Sequence, residues 1–280
     1  APRWRGLVSD DTDQTIVIAR ALAASRDPGA FGDAVIRGLR RWFLALPPAI
    51  GWGTLRACVK LCFGARQGVA SAGNAPAMRA AILGVVARDR AHLDRLAAAA
   101  TLPTHTDPRA LDAARIVALA AHAPMSLVQL ASACRTDELG AAIAAMAPLV
   151  GAPPHVVART WSRGPGAFCI ETVPAALWAA QRATPAAAIH AAIRLGGDTD
   201  TVAAIAGAIA GAHAPDALPV DGVARLGATG RYLARLAAAL ADGFPAPRRH
   251  HPLVAVPRNL AVGIVFVGHA ARRALGIRPA

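Results

Sequence analysis

The sequence predicts an all-α protein folded as one compact multi-helix domain spanning residues 1–280. Three observations carry that expectation. Apolar residues recur at three- and four-residue spacing in almost every periodic segment, strict apolar–polar alternation is absent, and clusters of glycine and proline punctuate the segments. A content of 55% hydrophobic residues is ample for a sizeable core, so disorder is excluded.

Taken in order, Val35, Leu39, Trp42 and Leu46 repeat at helix spacing, while Arg37, Arg40 and Arg41 fall elsewhere on the wheel. This predicts an amphipathic helix that ends at Pro47-Pro48. Asp107 followed by Pro108 reads as an N-cap with proline in the first turn, opening a run through Leu111, Ala114 and Ala118. Leu139, Ile143 and Met146 form the next periodic run after a Thr136 cap, and Thr184-Pro185 opens a helix that closes at Gly196-Gly197. Gly207 and Gly211 give a GxxxG spacing that lets a neighbour approach closely, so their helix should be central and buried. Breaks at Gly51-Trp52-Gly53, 64–73, Pro153-Pro154, Gly164-Pro165-Gly166 and 245–252 leave room for about ten helices of ordinary length.

The formal charge of +13 comes almost entirely from arginine, with Lys60 the one lysine. The densest groups, Arg37/Arg40/Arg41 and Arg248/Arg249, form no stripe along which a duplex backbone could lie, so no nucleic-acid partner is expected. Cys58, Cys62, Cys134 and Cys169 contain no CxxC pair and read as small buried hydrophobes in a reducing compartment; the spacing of Cys58 and Cys62 puts both on one helix face. The apolar stretches 201–214 and 260–271 are too short or too polar to span a bilayer, and the first residues carry no signal-peptide pattern. A cytoplasmic monomer without a membrane partner is expected.

Two acidic runs concentrate the chemistry. Ser9-Asp10-Asp11-Thr12 and Gly197-Asp198-Thr199-Asp200-Thr201 each stand ahead of an apolar helical stretch, in a chain with only 17 acidic residues. Either run could cap a helix. One oxygen suffices for a cap, however, and crowded carboxylates repel unless a cation lies between them. Carboxylate and hydroxyl oxygens without Cys or His are hard ligands, suited to Mg²⁺, Mn²⁺ or Ca²⁺.

Three further blocks lie between the runs: 71–79 (SAGNAPAMR), Thr104-His105-Thr106-Asp107-Pro108, and 166–174 (GAFCIETVP). The ordered series of five, from about Leu7 onward, resembles the ADP-ribosylglycohydrolase family, which includes hydrolases that remove ADP-ribose from modified dinitrogen reductase. The resemblance implies an all-α fold with two Mg²⁺ ions (or Mn²⁺) in a central cleft, held here by Ser9, Asp10, Asp11, Asp198, Asp200 and Thr201. It implies Asp10 or Asp11 as the group that activates water, and Ser71, Gly73, Asn74, His105 and Phe168 as substrate-binding residues. The implied substrate is an ADP-ribosylated protein or a small ADP-ribosyl compound.

The sequence departs from that pattern twice. Relatives begin with a glycine-rich Gly-Asp-Ala-like segment and a glutamate beside the metals, and this sequence starts downstream of both. Ala75 also stands where glycine usually follows the Asn. An ADP-ribose-binding protein with impaired catalysis is therefore the alternative expectation.

Overall fold

The computed structural model describes residues 8–48, 50–247, 255–257, 259–260 and 263–264. Arg248, Arg249 and most of the apolar stretch 260–271 lie outside them. Helix α1 (Asp10–Ala24) is followed by α2 (Pro28–Leu44) and α3 (Trp52–Cys62). The short α4 (Ala75–Met78) and α5 (Ala81–Val86) lead into α6 (Arg90–Thr101) and α7 (Pro108–His122). Next come α8 (Leu127–Ser132), α9 (Asp137–Ala144) and the single turn α10 (Pro154–Val157). Helices α11 (Cys169–Ala180), α12 (Pro185–Ile193), α13 (Thr199–His213), α14 (Val220–Arg225) and α15 (Ala228–Asp242) follow. Among the described residues, strand-like pairing is confined to two isolated bridges, Val69 with His105 and Gly73 with Phe168.

Several helix starts follow from single side chains. Asp27 accepts hydrogen bonds from the amides of Gly29 and Ala30 at the head of α2, Asp107 accepts from Arg109 ahead of α7, and Thr184 accepts from Ala187 ahead of α12. Ser126 and Gln129 form a reciprocal capping box on α8. Thr136 does not act as the expected cap: its amide and hydroxyl both donate to Asp112, whose carboxylate also holds Arg115. That buried pair, with Asp112 accepting from the Arg135 amide as well, ties α7 to the start of α9. At the end of α2 the helix stops at Leu44, short of the expected Leu46. A residue before proline is excluded from the right-handed helical region, and Leu46 takes φ 53° and is exposed.

Helix α7, rather than the GxxxG helix α13, lies at the centre. Most of its residues are buried, and its alanines let α5, α6, α11 and α13 pack around it. Helix α13 buries one side only, while Gly207 gives the close approach expected of it: a Cβ there would lie 2.9 Å from Ile189 on α12. Phe31, Val35 and Leu39 of α2 are fully buried, each contributing about 1.5–3 kcal/mol. All four cysteines are free, but only Cys58 and Cys169 are buried; Cys62 faces outward. No described helix is long and apolar enough to cross a membrane.

The tightest helix crossing is at Gly84 of α5, where a Cβ would come within 1.9 Å of the Ala118 carbonyl on α7. Gly84→Ala is expected to cost about 2–3 kcal/mol through overpacking, lowering the urea midpoint without changing the slope of the transition. An unchanged midpoint would show that the two helices part easily.

Candidate active site

Both acidic runs open helices, and neither caps one. Ser9 and Asp198 occupy the N-cap positions of α1 and α13, yet neither side chain accepts a backbone amide of its own helix. The Ser9 hydroxyl instead donates to Asp11 Oδ2 at 2.6 Å. Asp27, Asp89, Asp107, Ser126 and Thr184 each accept an amide of the helix they open, whereas the oxygens of these two runs are directed elsewhere.

Glycines account for where Asp198 points. Gly196 and Gly197 have φ of 79° and 67°, and the facing Gly164 has 79°. A Cβ on Gly197 would meet the Pro165 carbonyl at 2.2 Å, and one on Gly164 would meet the Gly197 nitrogen at 2.4 Å. The two loops thus cross backbone on backbone, closed by the Asp198 amide donating to the Pro165 carbonyl at 2.8 Å. The 164–168 loop is itself tied down: Glu171 accepts from the Gly166 amide at 2.7 Å, and the Thr172 hydroxyl donates to the Gly166 carbonyl at 2.6 Å.

Asn74 joins this assembly from the other side. Its amide nitrogen donates to Asp198 Oδ2 at 2.7 Å and to Thr172 Oγ1 at 3.0 Å. Its backbone amide donates to the Ala167 carbonyl, and the Cys169 amide donates to the Ala72 carbonyl, so the 72–74 and 167–169 segments run together as a short bridge. Asn74 therefore orients a carboxylate, a role the residue pattern did not disclose.

The result is a cavity of about 550 Å³ whose walls include Ser9, Asp10, Asp13, Thr54, Asn74, Met78, Asp198, Asp200 and Thr201. Asp11 is buried, bonded by the Ser9 hydroxyl, and is not part of the lining. Among the described residues no Arg or Lys forms a salt bridge with Asp10, Asp11, Asp198 or Asp200. Burial, followed by repulsion from Asp11 and Asp200, pushes the Asp10 carboxyl up to about 7. Burial and the adjacent Asp200 push Asp198 up to about 6 against the lowering effect of the Asn74 donor. Asp11 is raised by burial and partly restored by Ser9.

Other candidate residues form a second group. His105 is buried, and its ring lies 3.1 Å from where a Cβ on Gly53 or Gly73 would be, so two glycines make room for it. Burial holds its pKa near 3, which keeps the imidazole neutral, and its Nδ1 has no hydrogen-bond partner. The Ser71 hydroxyl accepts the Gly73 amide at 3.4 Å. Phe168 is half-buried with the Arg109 guanidinium 5.3 Å above its ring. These residues flank the Asn74 segment; the cavity lining itself contains Asn74 but not Ser71, Gly73, His105 or Phe168.

The family model for ADP-ribosylglycohydrolases matches residues 2–250. The chain belongs to the ADP-ribosylglycohydrolase family. A solved structure of an "ADP-ribosylglycohydrolase-related protein complex" has 28% sequence identity and a TM-score of 0.59 to this chain. The likeness covers 85% of this chain and 82% of that one. No curated protein matches it by sequence. Family members are hydrolases of ADP-ribosyl compounds and are generally metal-dependent, and this chain has their all-α fold.

Within it, Ser9, Asp10, Asp11, Asp198, Asp200 and Thr201 supply only hard oxygen donors, and Asp11 Oδ1 is buried without a hydrogen-bond partner. That set fits a hard divalent cation. Among the described residues no three Asp, Glu, His or Cys side chains already form a closed ligand group.

The raised Asp10 carboxyl makes a stability prediction. Its value is 3.8 in the unfolded chain and about 7 in the fold, so its contribution is fully present below 3.8 and is lost as pH rises through about 7. In chelator, Asp10→Asn is expected to melt above wild type by a margin that grows between about pH 4 and about pH 7 and then levels off. A margin that does not change with pH would show that this carboxylate is not destabilised.

Proposed function

We propose that this protein is a Mg²⁺-dependent hydrolase that cleaves the glycosidic bond between ADP-ribose and a modified protein side chain or a small ADP-ribosyl compound. The observation that supports the reading is the meeting of Asp10, Asp198 and Asp200, from runs far apart in sequence, at one cavity, with Asp11 buried next to them and no salt bridge to any of the four among the described residues. In this reading two Mg²⁺ ions, replaceable by Mn²⁺, are held by Ser9, Asp10, Asp11, Asp198, Asp200 and Thr201. Bound there, the ions would offset the crowded negative charge and polarise oxygens of the sugar.

The chain's own residues account for the rest. Asp10 or Asp11 accepts a proton from the attacking water, whose oxygen bonds to the anomeric carbon as the bond to the leaving side chain breaks; the leaving nitrogen or oxygen takes up a proton. The neighbouring carboxylates stabilise the positive charge that develops on the sugar ring. Asn74 presents its amide at the cavity wall, and Gly73 permits close backbone approach by the ligand. Ser71 and His105 stiffen that segment from beneath, and Phe168 offers an aromatic face at its edge.

Incubation of the purified protein with Mg²⁺ and arginine-, serine- or small-molecule-linked ADP-ribose is expected to release free ADP-ribose, detected by chromatography, with none released in chelator. No release from any of these linkages, with ADP-ribose still bound tightly by calorimetry, would make the protein a binder instead.

Asp200→Ala is expected to abolish Mg²⁺ binding by calorimetry and to lower activity at least about 100-fold, with helical circular dichroism unchanged. Helix α13 is held by its packing on α12 and α11, so loss of a ligand leaves it standing. Unfolding of this variant would mark Asp200 as structural.

A further inference from the structure

Among the described residues, the most deeply buried cation stands one residue behind the acidic wall. Arg79, just after α4, is fully buried, yet it pairs with no carboxylate among the described residues. Its guanidinium donates to the Ala100 carbonyl at 3.0 Å, to Thr104 Oγ1 at 2.6 Å and to Gln14 Oε1. Gln14, itself fully buried in α1, donates from Nε2 to Asp10 Oδ2 at 3.3 Å. The chain of contacts therefore runs from α6 and the 102–107 loop through Arg79 and Gln14 to Asp10.

Resting on the proposed function, we infer that Arg79 and Gln14 are positioning residues that fix the Asp10 carboxylate for the metal. The argument is one of donor and acceptor valence. A guanidinium has only donors, so the Gln14 oxygen must face Arg79 and its NH₂ must face Asp10. A neutral amide that could otherwise turn over is converted into a fixed donor. The flipped amide would set its oxygen against the carboxylate and its NH₂ against the guanidinium, two repulsive contacts without water to relieve them. Held at Oδ2, Asp10 keeps Oδ1 for the cavity. The placement also brings a buried positive charge near the carboxylates without closing an ion pair, and an ion pair with Asp10 would compete with a cation for its oxygens.

The test measures Mg²⁺ affinity by calorimetry, together with Mn²⁺ electron paramagnetic resonance and thermal melting. Gln14→Met removes the donor to Asp10 and is expected to weaken Mg²⁺ binding about 10- to 100-fold. Arg79→Met is expected to do the same through loss of amide orientation, and the two losses should not add, since both act on one contact. A single substitution leaves Gln14 or Arg79 without its partner and can lower stability, so the Gln14→Met/Arg79→Met double variant, in which neither side chain is left unpaired and whose folding is checked by its melting, carries the decision. Arg79→Lys keeps a cationic donor on the Gln14 oxygen and is expected to recover most of the affinity, a rescue that general loosening of the core would not produce.

A folded double variant with wild-type Mg²⁺ affinity and an unchanged Mn²⁺ spectrum would overturn the inference. So would Arg79→Lys with a loss as large as that of Arg79→Met. Failure of the underlying functional reading looks different: wild type would bind no Mg²⁺, or Asp10→Asn would bind it unchanged.

Discussion

Mutual repulsion among four carboxylates, three lining one part-buried cavity and the fourth buried next to them, is the interaction on which the rest of this structure depends. Like charges at short range repel, and burial strengthens the repulsion by removing water. A sequence that keeps Asp10, Asp11, Asp198 and Asp200 there must supply packing that resists their separation. The all-α frame does this with rigid helices on both sides: α1 and α13 bring their N-terminal ends to one place, where the helix dipoles also favour negative charge.

Close approach is the second requirement, and small residues meet it. Alanines on α7 let its neighbours pack on several sides, Gly84 admits the Ala118 carbonyl, and Gly207 admits Ile189. At the site the same device is used on backbone: Gly164 and Gly197 cross so tightly that no Cβ fits, which aims Asp198 toward Asn74 and the cavity. The orientation of each half of the acidic wall then rests on a carboxamide. Asn74 holds Asp198, and Gln14, turned by Arg79, holds Asp10. In both cases a neutral donor steadies a carboxylate without cancelling the charge that suits it to a hard cation.

Much of this was legible before any coordinates. Helix periodicity and the caps at Asp107 and Thr184 describe α7 and α12 correctly, and the density of oxygens at residues 9–12 and 198–201 exceeds what capping requires. Other features were hidden for identifiable reasons. Thr136 has the residue type of a cap, but Asp112 competes for its hydroxyl from a helix distant in sequence. Leu46 has the right spacing for α2, but its proline neighbour removes it from the helix. Cys62 shares a face pattern with Cys58 yet faces outward, because a four-residue spacing does not say which side of the stripe the core lies on. Gln14 belongs to no motif and Arg79 only closes the 71–79 block, since their meaning lies in which atom faces which.

The sequence by itself determined the helical class, the starts of α7 and α12 and the hard-oxygen character of the two acidic runs, because all three follow from local spacing and residue chemistry. Only the tertiary structure decided that the runs share one cavity, that α7 rather than α13 occupies the centre, and that Asn74 and Gln14 serve as fixed donors to carboxylates. Those outcomes depend on contacts between residues more than sixty positions apart, such as Arg79 with Gln14 and Asn74 with Asp198. Such pairings are set by how the helices pack and by whether glycine lets two backbones meet, and neither is written in a local pattern.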